Sequence, residues 1–210
     1  MSVGPDPQPD PGPALAELLA PVSGGQMALV AAGFSTPLGG MIAVADDARL
    51  HLLEFVERKE LPAELMRLHR IAGGGISAGR NAVIDRTEGQ IAGYFAGTLA
   101  GFDLPLALYG TPFQQEVWQA LQQIPPGITI SYSELARRVG RPLAVRAAAG
   151  ANGANQLAIV IPCHRVTGLD GQLTGYGGGL WRKRALLDHE NRAYSAVIRG
   201  DGPRKPGEKA

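Results

Sequence analysis

The chain has a single cysteine, Cys163, among its 210 residues. An internal disulfide is therefore excluded, and so is any zinc site built on paired thiolates. The four histidines, His51, His69, His164 and His189, share no spacing that would bring them to one ion. No metal and no cofactor is expected. No stretch of about 18 uncharged apolar residues occurs, so no membrane-spanning helix and no membrane partner is expected. The opening Met1-Ser2-Val3-Gly4-Pro5-Asp6 lacks the basic start of a secretory signal. One free thiol fits a reducing compartment, and the expected location is cytoplasmic.

Charge of one sign is also missing overall, since the formal net charge is +1. The balance is uneven along the chain. Residues 1–108 carry 7 Lys/Arg against 12 Asp/Glu, whereas residues 109–192 carry 9 against 5. The surplus of positive charge falls on the half that holds Cys163, where a nucleic-acid partner would need it, although a surplus this small also fits a solvated surface. With 45% apolar and 19% charged residues, the composition is that of a globular protein able to form a core.

Residues 1–24 are rich in Pro, Gly and Asp, with Pro at 5, 7, 9, 11 and 13, and read as a disordered or extended leader holding at most a short helix over 14–20. Residues 193–210 read as a second disordered tail. Two domains are expected between them, over 25–108 and 109–192. In the first, residues 27–34, 41–45 and 50–56 alternate or run apolar and predict strands. Residues 61–71 predict a helix, and Ile84, Ile91, Phe95 and Leu99 predict a second helix interrupted by glycines. In the second domain, Thr111 caps a helix with Pro112 at its first position, and Pro125-Pro126-Gly127 stops it. Ser131 and Glu134 form a capping box opening a helix over 135–139. Gly140-Arg141-Pro142 then turns the chain into a helix over 143–150. Helix, short turn, helix is the pattern of a helix-turn-helix, and also of plain helical hairpins.

The one thiol sits in Ile161-Pro162-Cys163-His164-Arg165-Val166. An adjacent imidazole and guanidinium favour the thiolate of a group whose free pKa is roughly 8.5. The preceding apolar run, residues 157–161, predicts a buried strand. Pro162 would end it and expose the thiol at its tip. On the residues alone, Cys163 is either a small buried hydrophobe, which its polar neighbours argue against, or a nucleophile, as in a cysteine hydrolase.

The surrounding residues narrow this. Pro162-Cys163-His164-Arg165-Val166, with Gly110-Thr111-Pro112-Phe113-Gln114, Val117-Trp118, Ile124-Pro125, Ser131-Tyr132, Arg146-Ala147, Asn155, Gly175-Tyr176, Lys183, Leu186-Leu187 and Glu190, resembles the O6-alkylguanine-DNA alkyltransferases in family order. Ala154-Asn155-Gln156-Leu157-Ala158-Ile159 is most similar to the C-terminal half of the bacterial adaptive-response methyltransferase. The resemblance implies an α/β protein. Its ribonuclease-H-like N-terminal domain would precede a helical, winged-helix-like alkyltransferase domain carrying the helix-turn-helix. It further implies a monomer that takes the alkyl group of O6-alkylguanine, and of O4-alkylthymine in some relatives, from double-stranded DNA onto Cys163 in a single turnover. Relatives that hold zinc in the N-terminal domain do so through cysteines that this chain lacks.

The resemblance also implies roles. Cys163 would pass its proton through a water to His164, which Glu190 orients, and Asn155 would brace the turn around the thiol. Tyr132 would donate its hydroxyl to guanine N3. Val166 and Cys163 would offer backbone carbonyls to the exocyclic amine, Tyr176 would form a pocket wall, and Gly177 would present its N–H to O6. Arg146 would fill the space left by the flipped nucleotide, although a helix-turn-helix arginine also suits a phosphate. Lys183, between Arg182 and Arg184, would support the site or bind DNA. Two positions depart from the pattern. Gly177 stands where some relatives carry serine, leaving room for bulkier alkyl groups, and Ala148-Ala149 replaces the more common Val-Gly. Three rivals remain: a non-catalytic lesion binder, whose relatives lack the cysteine; a transcription regulator, for which the chain has no added zinc segment; and a Cys–His hydrolase, which would turn over.

Overall fold

A computed structural model describes residues 12–194. The first helix, α1 (Gly12–Leu19), runs into a 3-10 turn (Ala20–Val22). Strands β1 (Met27–Thr36), β2 (Gly39–Ala45) and β3 (Leu50–Phe55) follow, then helix α2 (Leu61–Ala72), strand β4 (Gly75–Ala78) and helix α3 (Ala82–Phe95). The sheet order is β3-β2-β1-β4, with the first three strands antiparallel and β4 parallel to β1.

Period-two alternation divides the sheet between two apolar clusters. Leu29, Ala31, Ile42, Val44 and Leu52 face α1 and α2, where they meet Leu19, Val22, Leu61, Leu65 and Leu68. Ala32, Phe34, Met41, Ala43, Leu53 and Phe55 face the other way, onto Ile84, Ile91 and Tyr94 of α3 and onto the C-terminal half. A register shift between Val44 and Ala45 puts one extra residue in β3, so Leu50 and Leu53 reach the same cluster despite their odd separation.

The C-terminal half comprises α4 (Pro112–Gln122), β5 (Ile130–Ser131), α5 (Tyr132–Arg138), α6 (Val145–Gly153), a 3-10 turn (Cys163–Arg165), β6 (Val166–Thr167) and α7 (Leu180–Ala193). Thr111 and Gln114 form a reciprocal capping box on α4. The Ser131 hydroxyl accepts the Glu134 N–H at the start of α5. Gly140, at φ 71°, makes the turn toward α6 that a side chain would strain.

Several expectations require correction. Residues 12–22 of the predicted disordered leader are helical, with Leu19 and Val22 buried against the sheet; residues 1–11 lie outside the described residues. Tyr194 is buried and donates to the carbonyls of Tyr94 and Leu99, so order runs two residues into the predicted tail, whose residues 195–210 also lie outside. Helix α3 passes unbroken through Gly89 and Gly93. Strand β4 has too short an apolar stretch to stand out.

The largest correction concerns residues 157–161, which form a buried turn and not a strand. Only Leu157 makes a bridge, to Leu53, with Leu53 N donating to Gln156 O at 2.9 Å and Ala158 N to Leu53 O at 2.8 Å. Ile159 adopts φ 70°, a left-handed conformation that is rare for a β-branched residue and ends any ladder. The run is apolar because the core surrounds it, with Ile159 and Ile161 fully covered, and burial produces the same pattern that a strand would. The free edge of β3 thereby anchors the segment that leads to the thiol.

Candidate active site

Asn155, just after α6, organises this turn. Its side-chain oxygen accepts Leu157 N at 3.0 Å, while Nδ2 reaches Ile161 O at 2.8 Å and Cys163 Sγ at 3.2 Å. Its amide thus supplies what a strand ladder would otherwise provide, and it touches the thiol. Cys163 is only 7% exposed, the reverse of an exposed tip, yet it lines a pocket of about 350 Å³. Tyr132, Asn152, Tyr176 and Gly177 line the same pocket, as do Glu54 and Arg58 from the N-terminal half.

Around His164, the residue that follows the thiol, Glu190 of α7 collects donors. It accepts from His164 Nε2 at 2.8 Å, Tyr94 OH at 2.8 Å, Gly127 N at 2.9 Å and Arg165 Nη2 at 2.8 Å. Burial alone would raise its pKa, but the His164 and Arg165 contacts overcome that and hold it well below the usual carboxylate range. Because Glu190 can only accept, His164 carries its proton on Nε2. Burial lowers the His164 pKa, so the imidazole is neutral at rest and Nδ1 keeps a lone pair with no partner among the described residues.

This geometry reverses the expected state of the thiol. Burial pushes Cys163 up to about 11, partly offset by the Asn155 hydrogen bond. The positive field inferred from its neighbours is spent elsewhere: His164 is neutral, and the Arg165 guanidinium is paired with Glu190. Cys163 is therefore a protonated thiol at rest.

Lys183 was expected at the site or on DNA. It is wholly buried, and Nζ donates to Val166 O at 2.6 Å and Thr174 O at 2.7 Å, so it cannot reach a phosphate. It ties the strand after Cys163 to the loop that carries Tyr176. Arg182 is likewise buried, donating to Leu38 O at 2.7 Å and pairing with Glu57 at 2.6 Å. Arg184 is exposed. Arg146 is exposed on α6, one turn before Ala149, which lines the pocket; the two share a helix face. The Tyr132 hydroxyl donates to Thr174 O at 3.2 Å, and burial keeps it protonated. The Tyr176 hydroxyl is buried without a partner among the described residues. Val166 is covered and does not itself line the pocket.

The space beside Gly177 is not open. A Cβ there would lie 2.8 Å from Arg58 Nε, so glycine accommodates a guanidinium and not a larger alkyl group. Arg58 pairs with the buried Glu54, pairs with Glu64 at 3.0 Å and donates to Asn155 O at 3.2 Å. Sequence reasoning missed Glu54, Arg58, Asn152, Tyr94 and the pairing of Arg165. A charge at Glu54 inside an apolar strand was the one available signal.

Comparisons with known proteins point to one family. A family model described as "6-O-methylguanine DNA methyltransferase, DNA binding domain" matches residues 112–192. A methylated-DNA–protein-cysteine methyltransferase of Salmonella typhimurium is 46% identical over 160 residues, covering 74% of this chain and 92% of that protein. A Mycobacterium tuberculosis protein of the same name is 45% identical over 163 residues, covering 78% and 93%. Among solved structures, Mycobacterium tuberculosis OGT in complex with DNA superposes with a TM-score of 0.69 at 40% identity, covering 78% of this chain and 94% of that one.

Proposed function

The chain belongs to the methylated-DNA–protein-cysteine methyltransferase family, and on that premise we propose that it repairs O6-alkylguanine in double-stranded DNA by moving the alkyl group onto Cys163. One observation carries the assignment. The only thiol of the chain lines a base-sized pocket, held by Asn155, next to a neutral imidazole backed by a carboxylate.

The nucleophile, base and orienter logic follows from the electrostatics. A thiol near pKa 11 attacks poorly unless a base takes its proton as the bond forms. His164 is that base. It is neutral and has a free Nδ1, and Glu190 stabilises the imidazolium that forms. The sulfur–carbon bond forms as the carbon–O6 bond breaks, and the electron pair stays on guanine. The guanine ring takes up one proton, equal to the one the thiol gives up, so the reaction balances without an outside reagent. Tyr132 donates toward the ring and Gly177 N–H toward O6, while Tyr176 walls the base. The product is a thioether with no ready leaving group, which makes the reaction single-turnover.

Access requires flipping the nucleotide out of the duplex, at a cost of a few kcal/mol. The exposed Arg146, on the pocket-side face of α6, suits the vacated space, and α5 and α6 act as the helix-turn-helix that meets DNA. The N-terminal sheet and its helices are read as ribonuclease-H-like over 25–108, and residues 109–192 as the winged-helix-like alkyltransferase domain, acting as a cytoplasmic monomer.

Intact mass after incubation with an O6-methylguanine duplex tests the assignment. The protein should gain about one methyl mass and stop at one equivalent. Cys163→Ala should gain none while still binding DNA. Continued turnover, as a Cys–His hydrolase would show, overturns it.

A further inference from the structure

Tyr94 lies on α3 of the N-terminal half, fully buried, and its hydroxyl donates to Glu190 Oε1 at 2.8 Å. His164 Nε2–H donates to that same oxygen, also at 2.8 Å. Burial and the Glu190 charge keep the phenol protonated, so Tyr94 is a permanent neutral donor. Its place is fixed independently of that bond. The ring packs on Phe95 and Phe102, with centroids 5.2 and 5.6 Å apart. The Tyr94 carbonyl accepts from His189 Nε2 at 2.8 Å and from Tyr194 OH at 2.9 Å.

Glu190 does not need this donor to stay in place. Arg165 Nε reaches both of its oxygens, at 3.1 and 3.0 Å, and Arg165 Nη2 reaches Oε1 at 2.8 Å. Gly127 N holds Oε2 at 2.9 Å. What the Tyr94 hydroxyl adds is electrostatic. A donor to a carboxylate stabilises its charge and draws it toward the donor, so the oxygen has less to offer a second donor. Burial, Arg165 and Lys183 all oppose a positive charge on His164, and Glu190 favours it. A group that weakens Glu190 therefore weakens the support for the imidazolium.

We propose that Tyr94 is a positioning residue of the transfer reaction, a donor from the N-terminal half that shares Glu190 Oε1 with His164 and restrains the carboxylate's pull on the imidazole. This rests on the reading of His164 as the base. It gives the N-terminal half a part in setting how strong a base the thiol meets.

The test compares the parent chain with Tyr94→Phe, which keeps the ring and removes the donor. Tyr194→Phe is the control, because it removes a buried hydroxyl from the same aromatic cluster without touching Glu190. Two readouts are taken on each protein: the proton resonance of His164 Nε2–H, and the single-turnover rate on an O6-methylguanine duplex at neutral pH. Tyr94→Phe should move the resonance downfield, the signature of a stronger bond to Glu190. Transfer should speed up by about two- to tenfold, the equivalent of one hydrogen bond. Tyr194→Phe should match the parent in both. Ring fluorination confined to Tyr94 makes the phenol a stronger donor, so it should move the resonance upfield and slow transfer, and it decides the matter if Tyr94→Phe does not fold. An unmoved or upfield resonance in Tyr94→Phe, or the same change in Tyr194→Phe, would overturn the proposal. A downfield resonance with no gain in rate would sink the reading of His164 as the base, and the proposal with it.

Discussion

Replacing Glu190 with Gln tests stability and chemistry at one residue. The carboxylate accepts from His164, Tyr94, Gly127 and Arg165, all at 2.8–3.1 Å. The amide of Glu190→Gln carries no charge and turns a donor toward this ring of donors. The Arg165 guanidinium, itself buried, loses its charged partner and keeps the Ile124 carbonyl and at most the one amide oxygen. Breaking a buried pair in this way costs about 3–5 kcal/mol, which in a domain of this size lowers the melting temperature by about 6–20 °C. His164 loses the charge that stabilises its imidazolium, so its basicity falls and transfer slows by about tenfold to a thousandfold.

The pH dependence has a definite sign. Glu190 has a folded pKa below the unfolded value of 4.5, so its contribution is fully present above pH 4.5. It is lost as pH falls toward the folded value, at about 1.4 kcal/mol per unit. The variant lacks this term, so the melting gap between parent and Glu190→Gln should narrow below pH 4.5. Thermal melts from pH 3 to 8, and single-turnover transfer from pH 6 to 9, measure both effects. An unchanged pH–rate profile with a melting temperature within about 2 °C of the parent would show that Glu190 neither supports His164 nor holds the fold.

Two further outcomes follow from the same geometry. Arg146→Ala should slow repair of an alkylated duplex by about ten- to a hundredfold, in line with the few kcal/mol of unstacking it offsets, and leave reaction with free O6-benzylguanine nearly unchanged; equal loss on both substrates would move Arg146 from the duplex to the fold. Gly177→Ala should place its Cβ against Arg58 and lower stability by about 1–3 kcal/mol, with Arg58→Ala relieving part of that loss in the double variant; strictly additive losses by chemical denaturation would show that the two sites do not touch.

What the sequence made legible was local. Thr111 and Ser131 announced α4 and α5 because a cap and the N–H it accepts lie three residues apart, within reach of any reading of adjacent residues. The apolar strands announced themselves by alternation. The bend at Ile159 did not, because a surrounded turn and a buried strand are both continuously apolar, and the amide that replaces the ladder hangs on Asn155. Arg58 was invisible for a different reason: it reaches Asn155 across 97 residues, and no local pattern encodes that distance.

The charge on the thiol shows how adjacency misleads. His164 and Arg165 follow Cys163 directly, and along the chain they make it electropositive. In the fold both side chains turn to Glu190, which offsets the guanidinium charge and accepts a hydrogen bond from Nε2–H of the neutral imidazole. Burial is then left as the dominant influence on Cys163, and it favours the thiol. A group tuned in this way is inert toward stray electrophiles at neutral pH and reactive only where a bound alkyl carbon lets bond formation and proton loss proceed together. For a residue that can be used once, that protection follows from burying the nucleophile and keeping its base neutral.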